Sequence, residues 1–257
     1  MALDLQTPTR PAAGPGRRSR RRRWLVRGLL ALLAVIVVLA SASAVLLVAT
    51  PSPRSAPAKI AAELAAHQAP SDRGVIPAKV AAAILATEDS RYYSDPAIDL
   101  RGTLRAVYGI VTANPNEGGA TIEVQLAKLL YTPRRSDPLA LSEQVAIALK
   151  MDHDFSKRQI LAMYLDAAYF GDGCYGITAA AERYFGRSPE QLSWGQASLL
   201  AGLVQAPSAF DPHHHLQAAL RRRAHVLARL EAVGDLTATQ VRAVAQEPLD
   251  PAVTFSG

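Results

Sequence analysis

Two consecutive carboxylates, Glu88 and Asp89, close an apolar, alanine-rich run in the stretch ILATEDSRYYSD, residues 84–95, and Tyr92 and Tyr93 follow directly. With a helix starting near Pro77, the positions of Val80, Ile84 and Glu88 are i, i+4 and i+8, on one face with about 40° of drift. Glu88 then points where the apolar side chains point, and Asp89 is turned about 100° away. A carboxylate at the edge of an apolar face suits proton transfer near neutral pH. The simpler reading of the same spacing is an ion pair with Arg91, Arg101 or Arg105 that only fixes a loop. Spacing alone leaves both open.

The elements that must position these groups read as helices nearly throughout. Asp137-Pro138 supplies an N-cap followed by proline at the first helical position, and Ser188-Pro189-Glu190-Gln191 repeats that pattern with Gln at the third position. Capping-box spacing recurs at Ser156 to Gln159, Ser193 to Gln196 and Thr237 to Gln240. The apolar stripe after Ser156 is Ile160, Leu161, Tyr164 and Leu165, and after Ser193 it is Leu199, Leu200, Leu203 and Val204. No stretch alternates with β-branched residues, so an all-α fold with little or no sheet is expected.

Charge divides the chain. Eight arginines against Asp4 alone put +7 on residues 1–27, and since the whole chain is +6, residues 28–257 sum to −1. The high pI therefore describes a tail and gives no support for a nucleic-acid partner. The uncharged run GLLALLAVIVVLASASAVLLV, residues 28–48, is long enough to cross the roughly 30 Å hydrocarbon core. A cleaved signal peptide is the competing reading, with ASASA at 40–44 as the small-residue site, but the run exceeds the usual h-region. The expected organisation is a basic cytoplasmic tail (1–27), a single transmembrane anchor (28–48), a Pro/Ser stalk (49–59) and an exported domain (60–257), oriented by the positive-inside rule.

Several features read as structural. Cys174 is the only cysteine, so no intrachain disulfide forms, and it is expected to pack rather than react. His213 to His215 read as a solvated loop after Asp211-Pro212, with metal binding as the alternative. Trp194 and Tyr92 read as core, and residues 108–117 as a loop over the site.

Taken in order, several stretches resemble the family 51 glycosyltransferases, the peptidoglycan transglycosylases. ILATEDSRYYSDPAIDLRGTLRA is similar to the family's first motif, E-D-x-x-F-x-x-H-x-G. GGATIEVQLAKLLY (118–131) resembles G-G-S-T-I-T-Q-Q-L-A-K, and SKRQILAMYLDAAYFGDGCYGITAAAERYFG (156–186) resembles K-x-x-I-L-E-x-Y-L-N and the segment after it. RRAHVL (222–227) matches R-R-x-x-V-L. The resemblance covers about residues 75–230. It implies a lysozyme-like, two-lobed, all-α domain behind a membrane anchor, and an inverting transfer in which the 4-hydroxyl of lipid II attacks the anomeric carbon of the nascent glycan strand. Undecaprenyl pyrophosphate leaves. By the same resemblance Glu88 is the general base, with Asp89 in support. Thr121, Gln125, Lys128, Lys157, Arg222 and Arg223 stand at motif positions that bind substrate or supply cations. A divalent metal such as Mg2+ is admitted, though the sequence does not require it. Membrane, lipid II and glycan are the implied partners, with cell-wall synthesis proteins as further candidates. The chain stops at Gly257, so no transpeptidase domain is expected.

Departures from the pattern bear on activity. The first motif's His and Gly are Asp95 and Ala97. The second motif's Ser, second Thr and first Gln are Ala120, Glu123 and Val124. Counting back from ALKMDHDFSK, the Arg, Lys and Glu of R-K-x-x-E fall on Ala140, Leu141 and Gln144, and in the fourth motif Glu and Asn become Ala162 and Asp166. Gln144 cannot act as a second carboxylate. Glu143, one residue and about 100° away, or Glu123 would have to replace it. Three functions therefore stay open: a working transferase, a catalytically impaired relative that binds lipid II or glycan and scaffolds wall synthesis, and a lysozyme-like lytic hydrolase with a single Glu.

Overall fold

A computed structural model describes residues 16–70, 76–94 and 121–249. It divides into two units, residues 1–49 and residues from Thr50 onward. The first contains helix α1 (Gly16–Ala49), 34 residues long. Among the described helices it alone is long and apolar enough to cross a membrane, and Leu29, Leu33, Ile36 and Val45 are exposed along it.

The second unit is built of α2 (Ala56–Ala66), α3 (Ala78–Glu88), α4 (Ile122–Tyr131), α5 (Pro138–Asp154), α6 (Lys157–Ala167), α7 (Ile177–Phe185), α8 (Trp194–Leu203), α9 (Pro207–Phe210), α10 (Pro212–Val233) and α11 (Ala238–Gln246). The described residues contain no strand, only an isolated bridge between Tyr169 and Tyr175. The helices start where the caps place them. Asp137 accepts from Ala140 N at the head of α5, and full capping boxes open α6, α8 and α11. Each such cap contributes about 1 kcal/mol. Ser188 and Gln191 also form a capping box, but it opens only a three-residue 3₁₀ turn, because Ser193 starts α8 almost at once.

The expected stalk is not extended. Thr50, Pro53 and Ala56 are buried, a 3₁₀ turn spans Pro53–Ser55, and α2 begins at Ala56. Proline favours the first turn of a helix as much as an extended linker. Here the neighbouring body supplies partners: Lys150 Nζ donates to Thr50 O (2.7 Å), Arg54 pairs with Asp154 (3.1 Å), and Ser55 hydrogen-bonds Tyr131 (3.1 Å). The folded body therefore starts at Thr50, ten residues before the expected boundary.

Packing sorts the helices into two groups. α3, α8, α10 and α11 pack together through Val80, Ile84, Leu199, Leu203, Val226 and Leu230, whereas α2, α4, α5 and α6 pack through Ile60, Leu126, Ile147, Met151, Leu161 and Leu165. Helix α7 touches α6 of one group and α8 of the other. Burial of each such aliphatic side chain is worth roughly 1.5–3 kcal/mol, which holds each group as a firm wall. A groove lies between the walls, in keeping with the all-α, two-lobed expectation.

Candidate active site

Glu88 is the last residue of α3. Val80 and Ile84 are fully buried on its face, and Glu88 emerges from that face into a cavity of about 800 Å³. The helix stops because Asp89 adopts φ −155°, ψ 73°, while its amide still closes onto Leu85 O. Arg229 on α10 donates from Nε to Ala86 O (3.0 Å). That bond satisfies one of the carbonyls a helix end leaves open and sets a cation against the negative end of the helix dipole.

The Glu88 carboxylate is held by one hydrogen bond and one ion pair. Gln125 Nε2 donates to Oε2 (3.1 Å), and Arg222 Nη2 lies 3.6 Å from Oε1. The Gln125 amide is oriented in turn by Tyr164, whose hydroxyl donates to Gln125 Oε1 (2.9 Å). Burial raises the Tyr164 phenol far above its ordinary range, so it remains a donor. Arg222 comes close to α8 because residue 202 is glycine: a Cβ there would stand 2.9 Å from Arg222 Cγ. Burial draws the Arg222 pKa down and Glu88 opposes it.

The opposite wall brings Lys128 from α4 and Leu141 and Gln144 from α5 to the same cavity. Gln144 is buried, and its Nε2 donates to Thr132 Oγ1 (2.8 Å). His225 also lines the cavity, one helical turn from Arg222. Burial lowers its pKa, and Arg222 and Arg229 lower it further against the pull of Glu88.

Other candidate residues stand elsewhere. Thr121 caps α4, accepting from Val124 N (3.5 Å). Asp89 accepts from Ile122 N (3.3 Å), and burial raises its pKa to about 6. Glu123 is fully buried and takes a 2.6 Å ion pair from Lys157, which also meets Asp152 at 3.2 Å and lies over the Tyr92 ring. Burial pulls the Lys157 pKa down, but Glu123 and Asp152 outweigh it and leave it raised. Neither Glu123 nor Lys157 lines the cavity. Arg223 turns away from the groove, packing on Gly195 and donating to Val244 O, so it ties α10 to α11. Tyr92 is buried and donates to Lys157 O. Cys174 is buried, with its thiol raised to about 11 by burial. His213 stacks on Tyr184 at the head of α10 rather than standing in a loop. The first-motif positions Asp95 and Ala97, the arginines Arg101 and Arg105, Ala120 and the loop at 108–117 lie outside the described residues.

The donor set of the described residues does not fit a divalent metal. Among the described residues no group of three His, Cys, Asp or Glu side chains converges. Of the described carboxylates Glu88 alone lines the cavity, and both its oxygens face donors. Glu143 is drawn to Arg135 (2.8 Å), and Glu123 is committed to Lys157, so neither replaces the carboxylate absent at Gln144.

Sequence reasoning did not single out His225 and Tyr164, which line the cavity, or Arg229, which closes the end of α3 beside it. The signal for two of them was present: Arg222, His225 and Arg229 stand at i, i+3 and i+7 in RRRAHVLARL, one face of a helix.

A family model described as Transglycosylase matches residues 42–231. The chain belongs to the transglycosylase family. Penicillin-binding protein 1F of Bacillus subtilis is 36% identical over 166 residues, covering 64% of this chain and 23% of that protein. A Cupriavidus necator protein that carries a transglycosylase name is 31% identical over 176 residues, covering 68% of this chain and 76% of that protein. A crystal structure of penicillin-binding protein 1A from Haemophilus influenzae aligns with 52% of this chain and 17% of its own, at 27% identity and a TM-score of 0.37. The chain spans about a quarter of the length of the penicillin-binding proteins it matches.

Proposed function

We propose that this transglycosylase family member is a peptidoglycan glycosyltransferase that polymerises lipid II into glycan strands, anchored by α1 with its arginine-rich tail in the cytoplasm and its body outside. The observation that carries this reading is Glu88, held at the groove by Gln125 and Arg222. The acceptor 4-hydroxyl forms a bond to the donor's anomeric carbon with inversion, and the bond from that carbon to the pyrophosphate oxygen breaks. Glu88 takes the hydroxyl proton and later releases it to solvent. Once Glu88 is neutral it no longer competes for Arg222, whose charge is then free for the oxygen on which negative charge develops. Lys128 adds a second cation on the opposite wall. Transfer requires no step through a metal.

The test is incubation of purified full-length protein with labelled lipid II, with Glu88→Gln alongside. Polymer from the native chain and none from the variant is the expected result. Polymer made equally by Glu88→Gln would remove Glu88 from the mechanism. A second reading, a non-catalytic relative that binds lipid II or glycan for other cell-wall synthesis proteins, is favoured by one observation: the carboxylate absent at Gln144 is not restored by Glu143 or Glu123. Bound lipid II with no polymer would select it.

A further inference from the structure

The resemblance admits a divalent metal between protein and pyrophosphate, and the described side chains at the groove offer it no free carboxylate. We propose that this groove holds the pyrophosphate directly, through Lys128, Arg222 and the Gln144 amide, with no divalent ion between protein and phosphate. The inference rests on the transferase reading for the identity of its ligand, and goes beyond it in how that ligand is held.

Three observations carry it. First, Lys128 and Arg222 outnumber Glu88, the one carboxylate among the described groove-lining side chains, so these residues carry a net positive charge before any ion is added. A Mg2+ that bridges to phosphate is held by one or two carboxylates free to ligate it, and the one described carboxylate lining this groove, Glu88, already faces Gln125 and Arg222. Second, the carboxylates adjacent in sequence are committed elsewhere. Glu143 meets Arg135 at 2.8 Å, and Glu123 is buried against Lys157 at 2.6 Å, so recruiting either would strand a charge. Third, Gln144 is suited to an anion. Its partner, the Thr132 hydroxyl, both donates and accepts, so the amide can turn to present Nε2 to the groove while Oε1 takes the hydroxyl proton. A glutamate at 144 would put a second negative charge on the wall and call for a metal to bridge it to phosphate. Glutamine removes both the repulsion and the need.

The experiment is calorimetric titration of the full-length, detergent-solubilised chain with farnesyl pyrophosphate, once in EDTA and once in Mg2+. The expected result is a Kd that agrees within about twofold between the two conditions. Lys128→Gln and Arg222→Gln are each expected to weaken it at least tenfold in both. Gln144→Glu should bind at least tenfold more weakly in EDTA and recover in Mg2+, acquiring the metal requirement the native groove lacks. Binding by the native chain in Mg2+ alone would overturn the inference and leave the transferase reading standing. Equal affinity of Gln144→Glu in EDTA and Mg2+ would overturn the role given to residue 144. Failure to bind under either condition would remove the pyrophosphate site itself, and the transferase reading with it.

Discussion

Replacing Tyr164 by phenylalanine should damage turnover more than its size suggests. The Tyr164 side chain is 1% exposed, and its hydroxyl donates to Gln125 Oε1 at 2.9 Å, so the phenylalanine ring would keep the packing and lose a single O–H. A buried neutral hydrogen bond contributes about 1 kcal/mol, and the acceptor left behind adds up to about the same again. That bond also decides which end of the Gln125 amide faces Glu88. With Oε1 held by the phenol, Nε2 must donate to the carboxylate at 3.1 Å. Without it, the orientation that turns Oε1 toward Glu88 becomes about 1–2 kcal/mol more accessible, roughly a 5- to 30-fold change in the ratio of the two. Tyr164→Phe should therefore lower the polymerisation kcat about tenfold with KM little changed, and lower Tm by about 2–8 °C. Gln125→Met removes the same donor, so the two substitutions combined should cost little more than Gln125→Met alone. Additive losses in that cycle, or a kcat within twofold of native despite a lower Tm, would refute the relay and leave Tyr164 as packing only.

Asp89 titrates near 6 in the folded chain against an ordinary 3.8, because burial favours its neutral form. Between those values the folded state holds a proton that the unfolded chain has released, so this group's contribution falls as pH rises through the window, by at most about 3 kcal/mol and less for a partly exposed side chain. In urea unfolding, Asp89→Asn should gain stability relative to native between pH 4 and pH 7, and an unchanged difference across that range would contradict the assignment. Glu123→Ala strands Lys157 with Asp152 alone and should cost about 3 kcal/mol in the same assay. A loss below about 1 kcal/mol would show the pair to be solvated. Gly202→Ala drives a Cβ to 2.9 Å from Arg222 Cγ, so polymerisation should drop about tenfold with a stability cost of about 1–3 kcal/mol. Native-level turnover would show that Arg222 does not need its present position.

Much of this architecture is legible in local chemistry. The caps at Asp137, Ser156, Ser193 and Thr237 each open the helix they announce, because a capping side chain and the amides it satisfies lie within four residues of one another. The placement of Glu88 follows from the same short-range rule, through its spacing from Val80 and Ile84. What escapes is settled at long range. The segment after Thr50 has the proline content of a linker, yet it folds because Lys150, about a hundred residues away, takes the Thr50 carbonyl. Arg222 and Arg223 are neighbours in one motif, but about 100° of helical rotation sends one to Glu88 and the other to the Val244 carbonyl. Lys157 stands at a motif position for a cation, and only the buried Glu123 beside it reveals that its charge is already spoken for.

The third-motif departures make most sense taken together. Loss of the glutamate alone would leave two cations on α5 facing an anionic ligand without a counter-charge, and loss of the cations alone would leave a carboxylate repelling phosphate. At Ala140, Leu141 and Gln144 all three charges are gone, and Leu141 and Gln144 still line the groove as uncharged groups. The α5 part of that wall is therefore uncharged among the described lining residues, and in the proposed reading the attraction for a pyrophosphate falls to Lys128 and Arg222. Arg222 is already engaged by the base. In the proposed transfer one of the two described cations is conditional: while Glu88 is ionised it holds Arg222 at 3.6 Å, and a proton taken from the attacking hydroxyl would cancel that hold. On the proposed transferase reading, acceptor activation and leaving-group stabilisation would be coupled through this one ion pair.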